Sequence, residues 1–370
     1  PQELLLARGI AADLVTDLSR MTDLRVLALP AEGAQQGAGT SAAAIRYHVT
    51  GSVQRAGDRI RLQVRLADAQ SGALLWSERF DVALAGVFEM QDVLGVRILA
   101  KLPVKLGEAE KRRVAQRYTR SLEAYETYQR GQLALQLRRK EENQLARDLF
   151  RRAVALDAAF ARAYVGLAMT YAAEYRNQWV EDRASALDRA GELARTAHRM
   201  SPDISETYWV LAFVDAHRRR HEQAVRHLDD ALRLNPSFAD GYALKGGIYT
   251  SIGRPAEGVQ LLHAAMRLAP DSGYTYFMLL GRAYLALGQL EQARINLEHA
   301  LARNPEFVDA HVYLAATHLA AGDRAAASWE VEEIRALKPD FTGQRWLETN
   351  PTAEGEFKAR LVRSLKDLGL

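Results

Sequence analysis

Two pairs of side chains in this sequence have a spacing that could serve metal chemistry. His217 and His221 are four residues apart, the spacing at which two imidazoles on one helical face can bind the same zinc ion. Asp13 and Asp17 have the same spacing and could offer two carboxylates to a divalent cation. The repeat pattern described below places both histidines at a turn, and aspartates on exposed helix positions are usually hydrated. We therefore predict no metal site.

Sequence motifs for catalysis are missing. The chain contains no G-x-x-x-x-G-K-[ST], G-x-G-x-x-G, G-x-S-x-G or H-E-x-x-H segment. It also has no cysteine, which excludes disulfides, thiolate nucleophiles and thiolate metal ligands. His311 and His318 occupy bulky packing positions of a helical repeat, where we expect them to fill space. The sequence therefore predicts a chain that is not an enzyme and binds no cofactor.

Composition places the chain among globular proteins. It has 370 residues, of which 48% are hydrophobic and 26% charged, and its net charge is +3. The basic runs at 138–140 and 218–220 lie in predicted turns without interleaved aromatic residues, so we predict no nucleic-acid contact by this chain. No charge-free run approaches the ~20 residues of a membrane span. Because the chain starts at Pro1 without a signal-like segment, we expect it to be part of a longer protein.

Five prolines recur with a nearly constant spacing in the second half of the sequence. Pro202, Pro236, Pro270, Pro305 and Pro339 are separated by 34, 34, 35 and 34 residues. Ahead of the last four, a small residue stands twelve positions earlier and an apolar residue eight positions earlier. Paired helices approach closely only where side chains are small, and proline can begin but not continue a helix. The period therefore predicts stacked helix pairs.

This pattern resembles the tetratricopeptide repeat. The first helices of the repeats carry bulky and small residues in the family's order, as at Tyr242, Gly246 and Tyr249. Six repeats fit residues 124–340, with insertions near 138–141 and 177–183 in the two earliest ones. Residues 341–370 are predicted to form a closing amphipathic helix, since an open-ended solenoid needs a cap. The predicted fold is mainly α, with a small α/β domain followed by a right-handed α-solenoid.

The first hundred residues have the pattern of a small α/β unit. Within them, Ile60, Leu62, Val64 and Leu66 alternate with polar residues, as in a half-buried antiparallel strand. The predicted order is α-β-(α)-β-β-β-α. Its elements are helices at 9–21, 41–45 and 87–102 and strands at 24–29, 47–53, 59–66 and 74–80.

The segments G-I-A-A-D-L-V-T-D-L-S-R-M, Y-H-V-T-G-S-V and V-F-E-M-Q-D-V-L-G-V-R-I-L resemble the TolB-like α/β domain, here over residues 1–105. A linker helix is predicted at 106–123. In bacteria this domain commonly precedes tetratricopeptide repeats, in the C-terminal regions of class III nucleotide cyclases and of membrane-anchored winged-helix regulators. The resemblance implies a non-catalytic regulatory region of a signalling protein whose adenylate cyclase or other output domain lies upstream. Cytoplasm and periplasm both stay open as compartments.

The resemblance also implies a groove that binds a protein or peptide partner. Positions that line this groove in the family correspond here to Tyr128, Arg162, Val165, Met169, Glu206, Trp209, Phe213, His217, Met278 and Arg282. We expect Trp209 and Phe213 to anchor the partner, because buried aromatic residues often dominate such interfaces. The alternative is that both residues pack against the insertion of the second repeat.

Two other functions stay open from the sequence. The α/β unit could make a homodimer by pairing an edge strand, at 47–53 or 74–80, with a second copy. It could instead hold a small molecule between the α/β unit and the first repeats, near Trp76, Arg79 and Tyr125.

Overall fold

Residues 2–21, 24–27, 45–102, 118–270, 273–353 and 355–370 are described by a computed structural model. Over these residues the chain is mostly helical with one small sheet near its start, which confirms the predicted fold class. The chain divides into two units. The first comprises residues 1–210 and 233–237, and the second comprises 211–232 and 238–370.

The sheet of the first unit has three antiparallel strands in the order β1-β2-β3. These strands are β1 (Tyr47–Ala56), β2 (Arg59–Asp68) and β3 (Leu74–Ala83). The alternation in β2 places its apolar side chains on one buried face, where Ile60 and Leu66 are fully covered. Gly57, with a φ of 62°, allows the tight turn between β1 and β2.

Two helices cover the buried face of this sheet. Helix α1 (Gln2–Leu18) and helix α2 (Val87–Leu99) flank the three strands in sequence. Ile10 and Leu18 of α1 share a hydrophobic core with Leu94 of α2 and Ile60 of β2. The sheet is therefore buried on one side only, as expected for an antiparallel sheet with polar residues at alternate positions.

The predicted strand at 24–29 is wrong for the residues that the structure describes. Residues 24–27 are not in the sheet. Instead, Val26 N–H donates to Ser237 Oγ (3.2 Å), and Ser237 Oγ donates to Leu24 O (3.5 Å). A side chain thus takes the backbone bonds that a strand partner would have made. The predicted helix at 41–45 and most of the linker helix at 106–123 lie outside the described residues.

Six helix pairs follow the sheet, in the order that the proline period predicts. Their bounds are α3 (Leu122–Gln136), α4 (Lys140–Leu156), α5 (Ala161–Asn177), α6 (Arg183–Met200), α7 (Ser205–His217), α8 (His221–Leu234), α9 (Ala239–Ser251), α10 (Pro255–Leu268), α11 (Tyr274–Ala286), α12 (Leu290–Arg303), α13 (Val308–Ala320) and α14 (Arg324–Leu337). The insertion near 177–183 lengthens α5 to 17 residues and α6 to 18, against 13 or 14 in the later pairs.

Glycines mark the closest helix contacts. In the first unit, a methyl group added at Gly131 or Gly166 would lie 2.8 Å or 2.6 Å from the ring of Phe150. In the second unit, methyl groups added at Gly246 and Gly258 would each lie within 2.8 Å of the other residue's carbonyl oxygen. Small residues at these repeat positions are therefore required by contact between helices, as the sequence predicts.

The end of the chain differs from the single closing helix that the sequence predicts. Two helices, α15 (Gly343–Thr349) and α16 (Glu356–Asp367), are separated by a non-helical connection. Trp346, Leu361 and Leu365 pack in one core with Tyr313 and Leu314 of the sixth repeat. Pro351 accounts for the interruption, because proline cannot continue a helix and biases the residue before it toward an extended conformation. No helix in the described residues is long and apolar enough to cross a membrane.

Candidate functional site

Helix α1 is buried on two adjacent faces, while Ala11 and Ala12 are exposed. Its apolar face, with Ile10 and Leu18, belongs to the core under the sheet. Its other face, with Gly9, Asp13 and Asp17, meets the first two repeats, and α1 contacts α3 directly. A methyl group added at Gly9 would lie 3.0 Å from both Tyr125 Oη and Gln129 Cδ, so glycine permits the close approach. This helix connects the sheet to the repeats within the first unit.

Asp13 is the central acceptor of this contact. It is 6% exposed, accepts a hydrogen bond from the Tyr125 hydroxyl, and accepts a long one from Gln91 Nε2 (3.4 Å). Its other oxygen pairs with Arg162 Nη1 on α5 at 3.3 Å. The expectation that Asp13 is hydrated is therefore wrong, because a neighbouring element that lies far away in the sequence covers it.

Arg162 brings the contact into the second repeat. Its side chain is 7% exposed, and its guanidinium carbon lies 3.4 Å from the centre of the Tyr118 ring, a cation-π contact. Tyr118 donates its hydroxyl proton to Asp17. We call Asp13, Asp17, Tyr118, Tyr125 and Arg162 the junction cluster.

Burial changes the acid-base behaviour of this cluster. Burial raises the pKa of Asp17 from 3.8 to about 6, and the nearby Arg162 and the Tyr118 hydrogen bond only partly oppose this rise. Burial also raises the pKa of Asp13, against the same kind of opposition from Arg162 and Tyr125. The charged forms of both carboxyl groups are therefore disfavoured by burial, and their neighbours Arg162, Tyr118 and Tyr125 oppose this effect.

The predicted groove residues are mostly covered by the chain itself. Three stay partly exposed, namely Met169, Glu206 and His217. The other seven are buried, with exposed fractions of 8% or less, namely Tyr128, Arg162, Val165, Trp209, Phe213, Met278 and Arg282. The structure gives Arg162 a partner within the chain that the sequence did not suggest. A role of these ten residues in binding a partner stays a prediction.

The residues of the predicted small-molecule site are not brought together. Tyr125 is 1% exposed and belongs to the core under the sheet, and Trp76 packs against the same core. Arg79 is exposed. Alternation along β3 puts Trp76 and Arg79 on opposite faces of the sheet. We find no geometry here that favours the small-molecule function.

The second unit contains a different feature, the extended segment of residues 350–353 between α15 and α16. Ala353 N–H donates to Ser251 O on α9 (2.9 Å), and Asn350 Nδ2 donates to Tyr313 Oη on α13 (2.9 Å). Thr349 O, just before this segment, lies 3.4 Å from His217 Nδ1. The sequence does not predict this segment, and its one local signal is the Asn350-Pro351 pair, which is typical of a turn.

A buried histidine-glutamate pair lies in the sixth repeat. His311 Nδ1 lies 2.6 Å from Glu330 Oε2, and His311 Nε2 lies 2.8 Å from Pro305 O. Both neighbouring atoms are acceptors, so the ring satisfies both when it is doubly protonated. Burial by itself would lower the pKa of His311, but the bonds to Glu330 and Pro305 raise it overall. His311 therefore does more than fill space, which is all that the sequence predicts.

In the described part of the chain, no cluster of three or more histidine, aspartate or glutamate residues could hold a metal ion. His217 ends α7 and His221 begins α8, so this pair brackets a turn between helices.

The comparisons with known proteins agree with the helix pairs. The tetratricopeptide repeat family matches residues 274–307, which cover α11 and α12. Residues 274–307 are therefore a tetratricopeptide repeat that lies within a run of six helix pairs.

Two curated relatives are longer proteins. The chain is 30% identical over 230 residues to the protein named "Putative adenylate cyclase 3" of Rhizobium meliloti (strain 1021), a match that covers 60% of this chain and 39% of that protein. It is 29% identical over 184 residues to Protein FlbA of Caulobacter vibrioides, covering 42% of this chain and 30% of that protein. The chain thus spans well under half the length of either relative.

Two of the solved structures that the chain matches are given with their similarity. A chain of the APC/C hetero-tetramer Cut9-Hcn1 is 18% identical with a TM-score of 0.48, over 66% of this chain and 43% of that one. A thermophilic TPR protein of Thermus thermophilus is 25% identical with a TM-score of 0.42, over 52% of this chain and 99% of that one.

Proposed function

We propose that this chain is a non-catalytic protein-interaction scaffold that forms the regulatory region of a bacterial signalling protein such as a class III nucleotide cyclase. In this proposal the repeats bind a protein partner and residues 1–105 form a TolB-like domain that relays binding to an output domain upstream. Repeat arrays provide extended surfaces for protein binding, which supports the first part.

The junction cluster is the observation that carries the relay. A partner bound to the repeats can affect a distant domain only if the intervening elements move together. Asp13 and Arg162 join α1 to α5 through a buried ion pair, and the adjacent face of α1 is part of the core under the sheet. Within the first unit, a displacement of the second repeat would therefore be transmitted through α1 to the sheet.

The Rhizobium relative supports a cyclase as the output domain. Its match to this chain covers 39% of its length, which leaves room for a catalytic domain elsewhere in that protein. The chain itself carries none of the catalytic motifs named above. Nucleotide cyclisation is accordingly proposed for the whole protein and not for these residues.

The test uses the full-length protein. Cyclic nucleotide formation from ATP and from GTP is measured with and without a partner that has been captured on the repeats and identified. The Asp13→Asn/Arg162→Gln variant keeps a neutral polar pair at the junction and should retain basal activity. In this variant we expect the partner's effect on cyclic nucleotide formation to fall about 5-fold or more, which is the lower end of typical coupling between sites.

The control for this test is Arg294→Gln, which removes an exposed ion pair with Glu291 and Glu298. It should leave the partner's effect unchanged. A full-length protein that forms no cyclic nucleotide would refute the cyclase assignment. A partner effect that survives unchanged in the folded junction variant would refute the relay.

A second candidate function is homodimerisation through β1, because this edge strand is exposed on both faces. Residues 48–52 are all exposed, and no charged side chain or proline occurs between Tyr47 and Gln54. The other edge strand, β3, carries Glu78 and Asp81, which pair with arginines. Charged edge strands resist pairing with another chain, whereas an uncharged exposed edge invites it.

Light scattering at about 100 μM tests this second candidate, a concentration that would populate even a weak dimer. We expect a dimer that Thr50→Lys converts to a monomer, while Thr50→Ser stays dimeric. A wild-type monomer at this concentration would rule out the candidate.

A further inference from the structure

We propose that residues 350–353 are a built-in occupant of a peptide-binding face on repeats four to six, and that an extended, uncharged, proline-containing segment of a partner protein binds there in its place. This inference rests on the proposed scaffold function. It names the face that binds and the chemistry of the ligand.

The contacts of this segment are those of a bound peptide. Ala353 uses its backbone N–H to bind Ser251 O, and Asn350 uses its side-chain amide to bind the Tyr313 hydroxyl, each at 2.9 Å. Ser251 and Tyr313 lie on α9 and α13, the first helices of the fourth and sixth repeats. Proteins recognise extended peptides in the same way, by hydrogen bonds to the peptide backbone at one position and by contacts with a side chain at another.

Asn350 is extended, and its side chain fixes the start of the segment in a local turn. Asn350 has φ −71° and ψ 130°, and its side-chain oxygen accepts from Thr352 N–H at 3.0 Å. Pro351 limits the conformations of the free segment, which lowers the entropy lost on binding. A partner peptide with the same Asn-Pro pair would share this advantage.

The helices on either side of the segment have their own anchors. Trp346 Nε1 donates to Asp309 Oδ1 at 2.7 Å, and Leu361 and Leu365 belong to the core of the sixth repeat. Arg360 donates to Ala286 O at 2.7 Å. The cap therefore has contacts that do not depend on residues 350–353, so the segment can leave the face without unfolding α15 and α16.

The present occupant leaves buried polar groups unsatisfied. Arg282, 4% exposed on α11, donates to Gly247 O, but its Nε has no hydrogen-bond partner among the described residues. Thr352, 3% exposed, has no partner for its hydroxyl in the same part of the chain. Buried polar groups are normally paired, so a segment with an acceptor for Arg282 would fit the face better than the chain's own residues.

The experiment measures binding of a fluorescein-labelled peptide, E-T-N-P-T-A-E-G, which copies residues 348–355. Its anisotropy is followed with the intact chain and with a chain whose residues 350–353 are replaced by Gly-Ser-Gly-Ser. We expect at least about tenfold tighter binding to the replaced chain. In the intact chain residues 350–353 compete with the peptide, so the apparent affinity falls in proportion to the fraction of chains whose face is free.

Two matched changes test the contact itself. Tyr313→Phe in the replaced chain removes the hydroxyl that accepts from Asn350 and that also bonds Arg282, and it should weaken peptide binding about 5-fold in a chain that stays folded. A peptide with Ala in place of its Asn should bind the replaced chain more weakly by a similar factor. Tyr313→Phe should not weaken the binding of this peptide further.

Several results would overturn the proposal. One is a folded replaced chain that binds the peptide no more tightly than the intact chain. Another is a dimer of the intact chain that exchanges residues 350–353 between copies. If the replaced chain does not fold, Ala353→Pro in the intact chain removes the single donor to Ser251 and must still tighten peptide binding. All of these measurements use the chain alone, so they can fail while the cyclase relay holds, or succeed while the relay fails.

Discussion

At the scale of single residues, burial and hydrogen bonds compete to set the pKa of two groups in this chain. His311 lies between two acceptors, which favours its imidazolium form, whereas Asp17 is a carboxyl group whose charge is disfavoured by burial. Both residues have a pKa above the ordinary value, for opposite reasons. For His311 the bonds to acceptors outweigh burial, and for Asp17 burial outweighs the bonds.

The His311 pair should make stability depend on pH. Because its folded pKa lies above 6.5, the stabilisation is complete below pH 6.5 and is lost as the pH rises through the raised pKa. We expect Glu330→Gln to cost about 2 kcal/mol of unfolding free energy at pH 6 and clearly less at pH 9. Urea unfolding at the two pH values measures this difference.

Glu332→Gln is the matched control for this prediction, since Glu332 lies on the same helix and is exposed. It should change stability little at either pH. An equal cost of Glu330→Gln at pH 6 and pH 9 would contradict the doubly protonated state of His311.

Asp17 should respond to pH in a way that an amide does not. Its folded pKa of about 6 exceeds the ordinary 3.8, so its contribution to stability is full below pH 3.8 and is lost as the pH rises through 6. Asp17→Asn keeps an oxygen that can accept from Tyr118. The stability of the variant relative to wild type should therefore rise by roughly 2 kcal/mol as the pH increases from 4 to 8.

Denaturant unfolding at pH 4 and pH 8 checks this expectation, with the exposed Asp148→Asn as a control that should show no such trend. A relative stability of Asp17→Asn that stays constant over this range would mean that the carboxyl group has an ordinary pKa.

At the scale of elements, small residues at fixed repeat positions decide how closely helices pack. Phe150 of α4 lies between Gly131 of α3 and Gly166 of α5, and its side chain is fully buried. The repeat pattern of the sequence accounted for Gly131 but not for Gly166. It could not predict that one aromatic ring would fill the space left by two glycines, because this depends on how neighbouring repeats stack.

Gly166→Ala should be destabilising although alanine is the better helix former. The added methyl group would lie 2.6 Å from Phe150, and overpacking of this kind costs about 1–3 kcal/mol, more than the ~1 kcal/mol gained in helix propensity. Thermal unfolding of Gly166→Ala, Phe150→Leu and the double variant measures it. The double variant should be more stable than the two single effects predict, and simple additivity would show that the ring is not the obstacle.

At the scale of the whole molecule, each unit uses a terminal segment of the chain to cover its repeats. In the first unit α1 covers the first two repeats through the junction cluster. In the second unit residues 350–353 reach α9 and α13. Arg162, one of the predicted groove residues, is thus covered by contacts within the chain.

A double-mutant cycle on Asp13 and Arg162 should show how strongly α1 is coupled to the repeats. Each single change, Asp13→Asn or Arg162→Gln, leaves one buried charge without its partner and should cost about 3 kcal/mol. The double variant should cost about 2 kcal/mol less than the sum of the two. Urea unfolding of the four proteins provides the values, and a coupling near zero would show that the pair does not hold α1 in place.

The sequence by itself determined the helix pairs, their number, the small residues between them and the buried face of β2. These features follow from periodic burial within short stretches, which a local pattern records completely. Only the tertiary structure decided what the polar residues of α1 and of residues 350–353 contact. Asp13 and Arg162 are 149 residues apart, and a polar residue on a helix surface has the same local pattern whether water or an ion pair covers it. The docking of distant elements distinguishes the two cases, which is why the sequence predicted the helix pairs and not these contacts.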